Sequence, residues 1–141
     1  MFGIYVHIPF CKKKCNYCDF YSIERTEHIA SFVDTLCNEI SIRGNQSNEL
    51  PSATSVFFGG GTPSLLSPEQ LGRIITTIRQ HFLVNNEAEW TMECNPGTIT
   101  HDSLCGYRKL GINRLSFGVQ SFNGSELTFL HRIHSPLQAE E

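Results

Sequence analysis

Residues 2–20 read FGIYVHIPFCKKKCNYCDF. Phe2 to Ile8 has strand character, and Pro9 opens a loop, 9–22, that carries Cys11, Cys15 and Cys18. Working outward, a strand followed by a helix recurs four times. Residues 27–42 place Ile29, Phe32, Val33, Leu36 and Ile40 at helical spacing, and Gly44 with the polar run Asn45-Gln46-Ser47-Asn48 ends that helix. Residues 54–58 form a short apolar strand that runs into Gly59-Gly60-Gly61. Ser67-Pro68-Glu69-Gln70 then supplies an N-cap, a first-turn proline and a capping-box glutamine for a helix with the buried stripe Leu71, Ile74, Ile75 and Ile78. Residues 88–93 make the third strand. Thr100 caps a helix that runs to Leu110, and Gly111 sits where a left-handed C-terminal cap belongs. Residues 113–119 are the fourth strand, and Asn123 caps a helix after it.

This order predicts an α/β fold with parallel strands joined by right-handed crossovers, as a barrel or an open sheet. In such folds the C-terminal ends of the strands carry the chemistry. The cysteine loop, the glycine run, Glu93 and Gln120 all fall there. Alternation also places Tyr5 and His7, Thr91, Glu93 and Asn95, and Ser116 and Gln120 on one polar face. An unpaired buried polar group costs about 1–3 kcal/mol, so that face is expected to line a wet, ligand-filled lumen.

With 141 residues, 40% hydrophobic and 18% charged, the chain suits one globular domain. A net charge of -3 and a pI near 6.0 supply no large basic surface, which disfavours nucleic acid as a partner. No apolar run reaches the roughly 20 residues of a transmembrane segment, and the first residues lack the order of a secretory signal. A cytoplasmic location is the simplest expectation.

Three of the six cysteines crowd into eight positions. The spacing Cys11-x3-Cys15-x2-Cys18 lets three thiolates hold three corners of a [4Fe-4S] cubane while the fourth iron stays open to a ligand. The alternatives are zinc on Cys15 and Cys18, or reduced buried thiols. Zinc usually takes four ligands in two spaced pairs, and the sequence has no second pair. Cys37, Cys94 and Cys105 sit in helix or strand patterns and are expected to pack as small hydrophobes. His131 and His134 are expected to face solvent, as are Lys12, Lys13 and Lys14 at a loop tip. His7 fits either the lumen or a hydrogen-bonded core position.

CxxxCxxC with Tyr17 before the last cysteine resembles the signature of the radical S-adenosylmethionine (SAM) superfamily. The longer string YVHIPFCKKKCNYCDF is similar to the oxygen-independent coproporphyrinogen III oxidase family and its heme-chaperone branch. GGGTPS, ECNPGT, GINRLSFGVQSFN and HRIHSPLQA extend the resemblance nearly end to end. It implies a partial (β/α) barrel with four of an expected six βα units, residues 1–141 being the N-terminal part of a core domain that continues in family members. It also implies SAM on the open iron, cleaved by one electron to a 5′-deoxyadenosyl radical, so an external electron donor is expected.

The resemblance gives Cys11, Cys15 and Cys18 to the metal. It gives Tyr5 and Tyr17 to packing and hydrogen bonding around SAM, and Gly60, Gly61 and Thr62 to the segment that approaches its methionyl ammonium. Glu93 and Gln120 fall to its polar groups and Arg132 to its carboxylate. Taken singly, these last three are more often a surface Glu, a strand-end Gln and a solvated Arg. The oxidase branch carries a further cysteine where this chain has Phe20, which favours the chaperone branch. That branch implies heme binding and transfer to an acceptor protein. The rival reading is an enzyme that decarboxylates coproporphyrinogen III oxidatively in porphyrin biosynthesis. A plain iron-sulfur electron carrier would need neither the glycine run nor Glu93, Gln120 and Arg132.

Overall fold

Periodicity sets both the strands and the face each one buries. The computed structural model describes residues 2–46 and 51–140. Strands β1 (Phe2–Ile8), β2 (Ser52–Gly60), β3 (Leu83–Cys94) and β4 (Arg114–Phe117) form one sheet in the order β1-β2-β3-β4, with all neighbours parallel. Helices α1 (Ile29–Gly44), α2 (Pro68–His81) and α3 (His101–Leu110) fill the crossovers. After β4 come α4 (Gly124–Phe129) and α5 (Pro136–Glu140), the second a short helix that periodicity does not predict. The α/β class and the strand-helix order are those expected. Ser47 and Asn48, from the polar run after α1, lie outside the described residues.

Residues two apart on each strand bury one face. Val6 and Ile8, Val56 and Phe58, and Trp90 and Met92 meet Val33 of α1 and Leu71, Ile74, Ile75 and Ile78 of α2 in a single core. Burying each such side chain contributes roughly 1.5–3 kcal/mol. Helix ends are fixed locally. Ser67 Oγ accepts from Gln70 N–H at 3.2 Å while Gln70 Oε1 accepts from Ser67 N–H at 2.9 Å, and Gly111 ends α3 at φ 105°. Arg79 lies over the Trp90 ring at 5.2 Å and donates to Leu110 O, so a cation caps the negative end of α3.

Strand lengths depart from the periodic reading. β2 and β3 start earlier, because Ser52 pairs with Leu83 and Ala53 with Val84 before an irregularity in the register. β4 is shorter: its pairing ends at Cys94 opposite Phe117, and Gly118 N–H donates to Cys94 O before the chain turns away. Leu115 and Phe117, on the face of β4 opposite Ser116, remain 37% and 43% exposed. Among the described residues, no helix is long and apolar enough to cross a membrane.

Asn113 extends the ladder below β4 with its side chain. Its Oδ1 accepts from Trp90 N–H at 2.8 Å and its Nδ2 donates to Ala88 O at 3.0 Å. Removing both bonds leaves two groups of β3 without these partners. Asn113→Ala should therefore lower stability by about 1–2 kcal/mol, read as a fall in the urea midpoint with an unchanged slope.

Candidate functional site

The C-terminal ends of the strands surround one cavity of about 290 Å3, whose wall includes Cys11, Cys15, Cys18, Gly61, Glu93 and Arg132. The cysteine loop is anchored at its base. Cys11 N–H donates to Ile23 O at 2.9 Å and Ile23 N–H to Pro9 O at 2.7 Å, which closes the loop like a short parallel bridge. Cys11 is buried, whereas Cys15 and Cys18 are half-buried. Among the described residues, no three His, Cys, Asp or Glu side chains converge closely enough to share one metal ion. A cubane makes a different demand, since each thiolate binds a separate iron corner.

Glycines bring the loop onto β2. Gly60 has φ 116°, and a Cβ there would lie 2.8 Å from the His7 ring and 3.0 Å from Ile8 O. Gly61 N–H donates to Ile8 O at 2.8 Å, and a Cβ on Gly61 would sit 2.7 Å from Phe10 O and 3.0 Å from Cys11 Sγ. Thr62 Oγ1 then donates to Cys11 Sγ at 3.6 Å. The run was expected to admit a ligand, but its missing side chains first admit the protein's own backbone.

Glu93 leaves β3 into the cavity, where its Oε2 accepts from Gly60 N–H at 3.1 Å. Tyr5 faces it across Gly59: a Cβ on Gly59 would lie 2.9 Å from the Tyr5 ring and 3.1 Å from Glu93 Oε2. Partial burial raises the Tyr5 phenol pKa, and the charge of Glu93 raises it further. Tyr5 OH also bonds His7 Nδ1 at 3.1 Å, and His7 Nε2 bonds Tyr21 O at 2.9 Å, so both ring nitrogens of His7 are hydrogen-bonded, and it is not among the residues that line the cavity. Thr91, expected on the same face, is buried and donates to Glu89 Oε1 at 2.7 Å. On β1 and β3 the polar face is thus largely paired.

A serine that the sequence reading passed over links the glycine run to the third strand end. Ser64 is 2% exposed and its Oγ accepts from Asn95 N–H at 3.0 Å. Thr98 Oγ1 donates to Asn95 O, so its contact with Ser64 at 2.6 Å takes the serine proton. The signal lay in the sequence as GGGTPS and ECNPGT, two loops with hydroxyls placed to meet.

Gln120 and Arg132 also line the cavity. Gln120 arrives by a turn, not by alternation along β4, since its φ is 68° and the strand ends at Phe117. Arg132 Nη1 lies 3.4 Å from both Cys15 Sγ and Tyr17 OH, its Nη2 donates to Gly118 O, and its buried Nε has no partner among the described residues. Two side chains stand opposite to expectation. His134 is 4% exposed, because residues 133–134 pack onto Gly97, and its Nε2 donates to Val119 O at 3.1 Å. Cys105 is exposed on α3 beside His101, where Tyr107 occupies the core position instead. Cys94 does pack in the core, and burial pushes its thiol up to about 12. His131 and the three lysines are exposed as expected.

A model of the radical SAM superfamily matches residues 5–140. The chain belongs to the radical SAM superfamily. It is 38% identical to the heme chaperone HemW of Escherichia coli over 98% of this chain and 37% of that protein. It is 35% identical to the oxygen-independent coproporphyrinogen III oxidase of Bradyrhizobium diazoefficiens over 94% of this chain and 30% of the relative. The solved radical SAM enzyme coproporphyrinogen III oxidase (HemN) from Escherichia coli superposes with a TM-score of 0.89 at 34% identity, covering 98% of this chain and 32% of that one. The chain therefore spans about a third of the length of the relatives it matches.

Membership in this superfamily implies a [4Fe-4S] cluster and SAM in general terms, and the donor set suits both. Three thiols and the Arg132 guanidinium rim the cavity, and a carboxylate stands by the glycine cradle. Behind the cavity wall, on the carbonyl of Val119, His134 carries a pH dependence. Burial first, and the charge of Arg132 second, hold its imidazole below the usual value of 6.5. The unfolded chain therefore binds that proton first, and the stability from neutral His134 is present above about pH 6.5 and lost as pH falls through the folded value. Urea midpoints between pH 7.5 and 5 should fall more steeply for the unaltered protein than for His134→Gln.

Proposed function

We propose that this chain, as the N-terminal part of a radical SAM core domain, holds a [4Fe-4S] cluster through Cys11, Cys15 and Cys18 and serves as a cytoplasmic heme chaperone. The observation that carries the reading is the convergence of three closely spaced thiols and four strand ends on one cavity. SAM lies between the glycine cradle and Arg132. Gly60, Gly61 and Thr62 border its methionyl end, Glu93 accepts from its ammonium or ribose, and Gln120 donates and accepts. Arg132 offers its guanidinium to the carboxylate, and Tyr5 and Tyr17 pack on either side. When bound, the cluster supplies the electron that cleaves the sulfonium of SAM. The chain's own part is to fix the cofactor and limit water, with the electron coming from an external donor.

Two observations favour the chaperone branch. Phe20 is 65% exposed at the cavity wall, at the position where a further cysteine marks the oxidase branch. Relatives named heme chaperones match at up to 41% identity. In this reading the protein takes heme and passes it to an acceptor protein. The second reading, oxidative decarboxylation of coproporphyrinogen III, draws on the relative and the solved enzyme that bear that name.

Anaerobic reconstitution should give iron and sulfide with broad visible absorbance that Cys15→Ser abolishes and Cys105→Ser preserves. Equal loss in both variants would mean that the ligands are misassigned. Heme titration should produce a saturable Soret shift. Incubation with reductant, SAM and coproporphyrinogen III should yield no protoporphyrinogen, and its formation would move the assignment to the oxidase.

A further inference from the structure

Gln120 occupies a strained turn. Ser121 N–H donates to Val119 O at 2.9 Å across a single residue, and Gln120 between them has φ 68°. A bond from i to i+2 around a positive φ defines the rarer and more strained of the two γ-turns. A residue other than glycine stays in such a conformation only where its surroundings over-determine it. Here they do. Gly118 N–H is held by Cys94 O and Gly118 O by Arg132, while Val119 O takes a second hydrogen bond from His134 Nε2 at 3.1 Å.

His134 is an expensive way to fill that position. It is 4% exposed, and a carbonyl only accepts, so Nε2 carries the proton. Its Nδ1 is buried with no partner among the described residues. An apolar side chain would fill the same space without leaving a ring nitrogen unsatisfied, so packing alone does not account for an imidazole. What the imidazole adds is one hydrogen bond to the peptide unit just before Gln120. The orientation of that unit sets the φ of Gln120, and with it the direction of its amide. Among the described residues that amide makes no hydrogen bond to the protein, and it lines the cavity.

We propose that His134 is a positioning residue for the SAM site, fixing the 119–120 peptide so that the Gln120 amide is aimed at the cofactor before it binds. The inference rests on the reading of Gln120 as a SAM contact given above. His134 itself touches no reacting atom. Its effect belongs in cofactor affinity, and it runs through Gln120.

The test is a double-mutant cycle on anaerobically reconstituted protein, reading the SAM dissociation constant by calorimetry and the SAM-induced change in the EPR spectrum of the reduced cluster. His134→Leu should weaken SAM by about tenfold with iron and sulfide content unchanged, and His134→Gln, which keeps an N–H donor, should recover part of that loss. In a Gln120→Ala background the same His134→Leu change should cost no more than about twofold. Unchanged SAM affinity in His134→Leu, or an equal loss in both backgrounds, overturns the proposal. Should His134→Leu fail to hold its cluster, His134→Gln in the two backgrounds makes the same comparison, and equal losses again overturn it. Unaltered protein that loads a cluster and binds no SAM sinks the reading of the site, and the proposal with it.

Discussion

The amide of Gly60 on the carboxylate of Glu93, at 3.1 Å, is the contact on which the arrangement of strand ends depends. It joins β2 to β3 at the point where the ladder gives out, and it takes place only because Gly60 turns through a positive φ that a side chain would oppose. The next amide, on Gly61, then reaches back to Ile8 on β1. Three strand ends are so tied within two residues. The cysteine loop rests on this knot, since Phe10 O and Cys11 Sγ occupy the space that a Cβ on Gly61 would need.

Much of this was legible in the sequence, for a physical reason: the elements with a two-residue or 3.6-residue apolar period are those that bury one face. Val6 and Ile8, or Leu71, Ile74, Ile75 and Ile78, announce their orientation locally, and the core is assembled from them. The crowding of three cysteines on one loop was equally plain, because spacing along the chain is a local property. The route by which Gln120 reaches the cavity was not, since alternation carries no information past Phe117, where pairing stops and a hydrogen bond across one residue takes over. His134 was misjudged because its burial comes from contact with Gly97, far away in the chain. Cys105 shows the opposite error, as a residue within an amphipathic helix whose turn happens to face outward.

The shape of the sheet follows the same division. Its outer face packs against α1, α2 and α3 along the first three strands, while its inner face carries Tyr5, His7, Thr91 and Glu93, all of them bonded to another side chain or to backbone. This internal pairing explains how a polar surface persists in the fold without penalty. Among the described residues, the Arg132 Nε and the Gln120 amide make no hydrogen bond, and both lie at the same end of the molecule as the thiols.

Ser64 has a consequence for how the cavity can change shape. By giving its proton to Thr98 and accepting from Asn95, above a Tyr107 hydroxyl that donates to Leu66 O, it welds the β2 and β3 loops into a single stiff block. Any change of shape must then be borne by the other two walls, the cysteine loop and the stretch from Gly118 to Arg132. Movement of the walls is in this way confined to one side of the pocket, with the welded block acting as a fixed anvil.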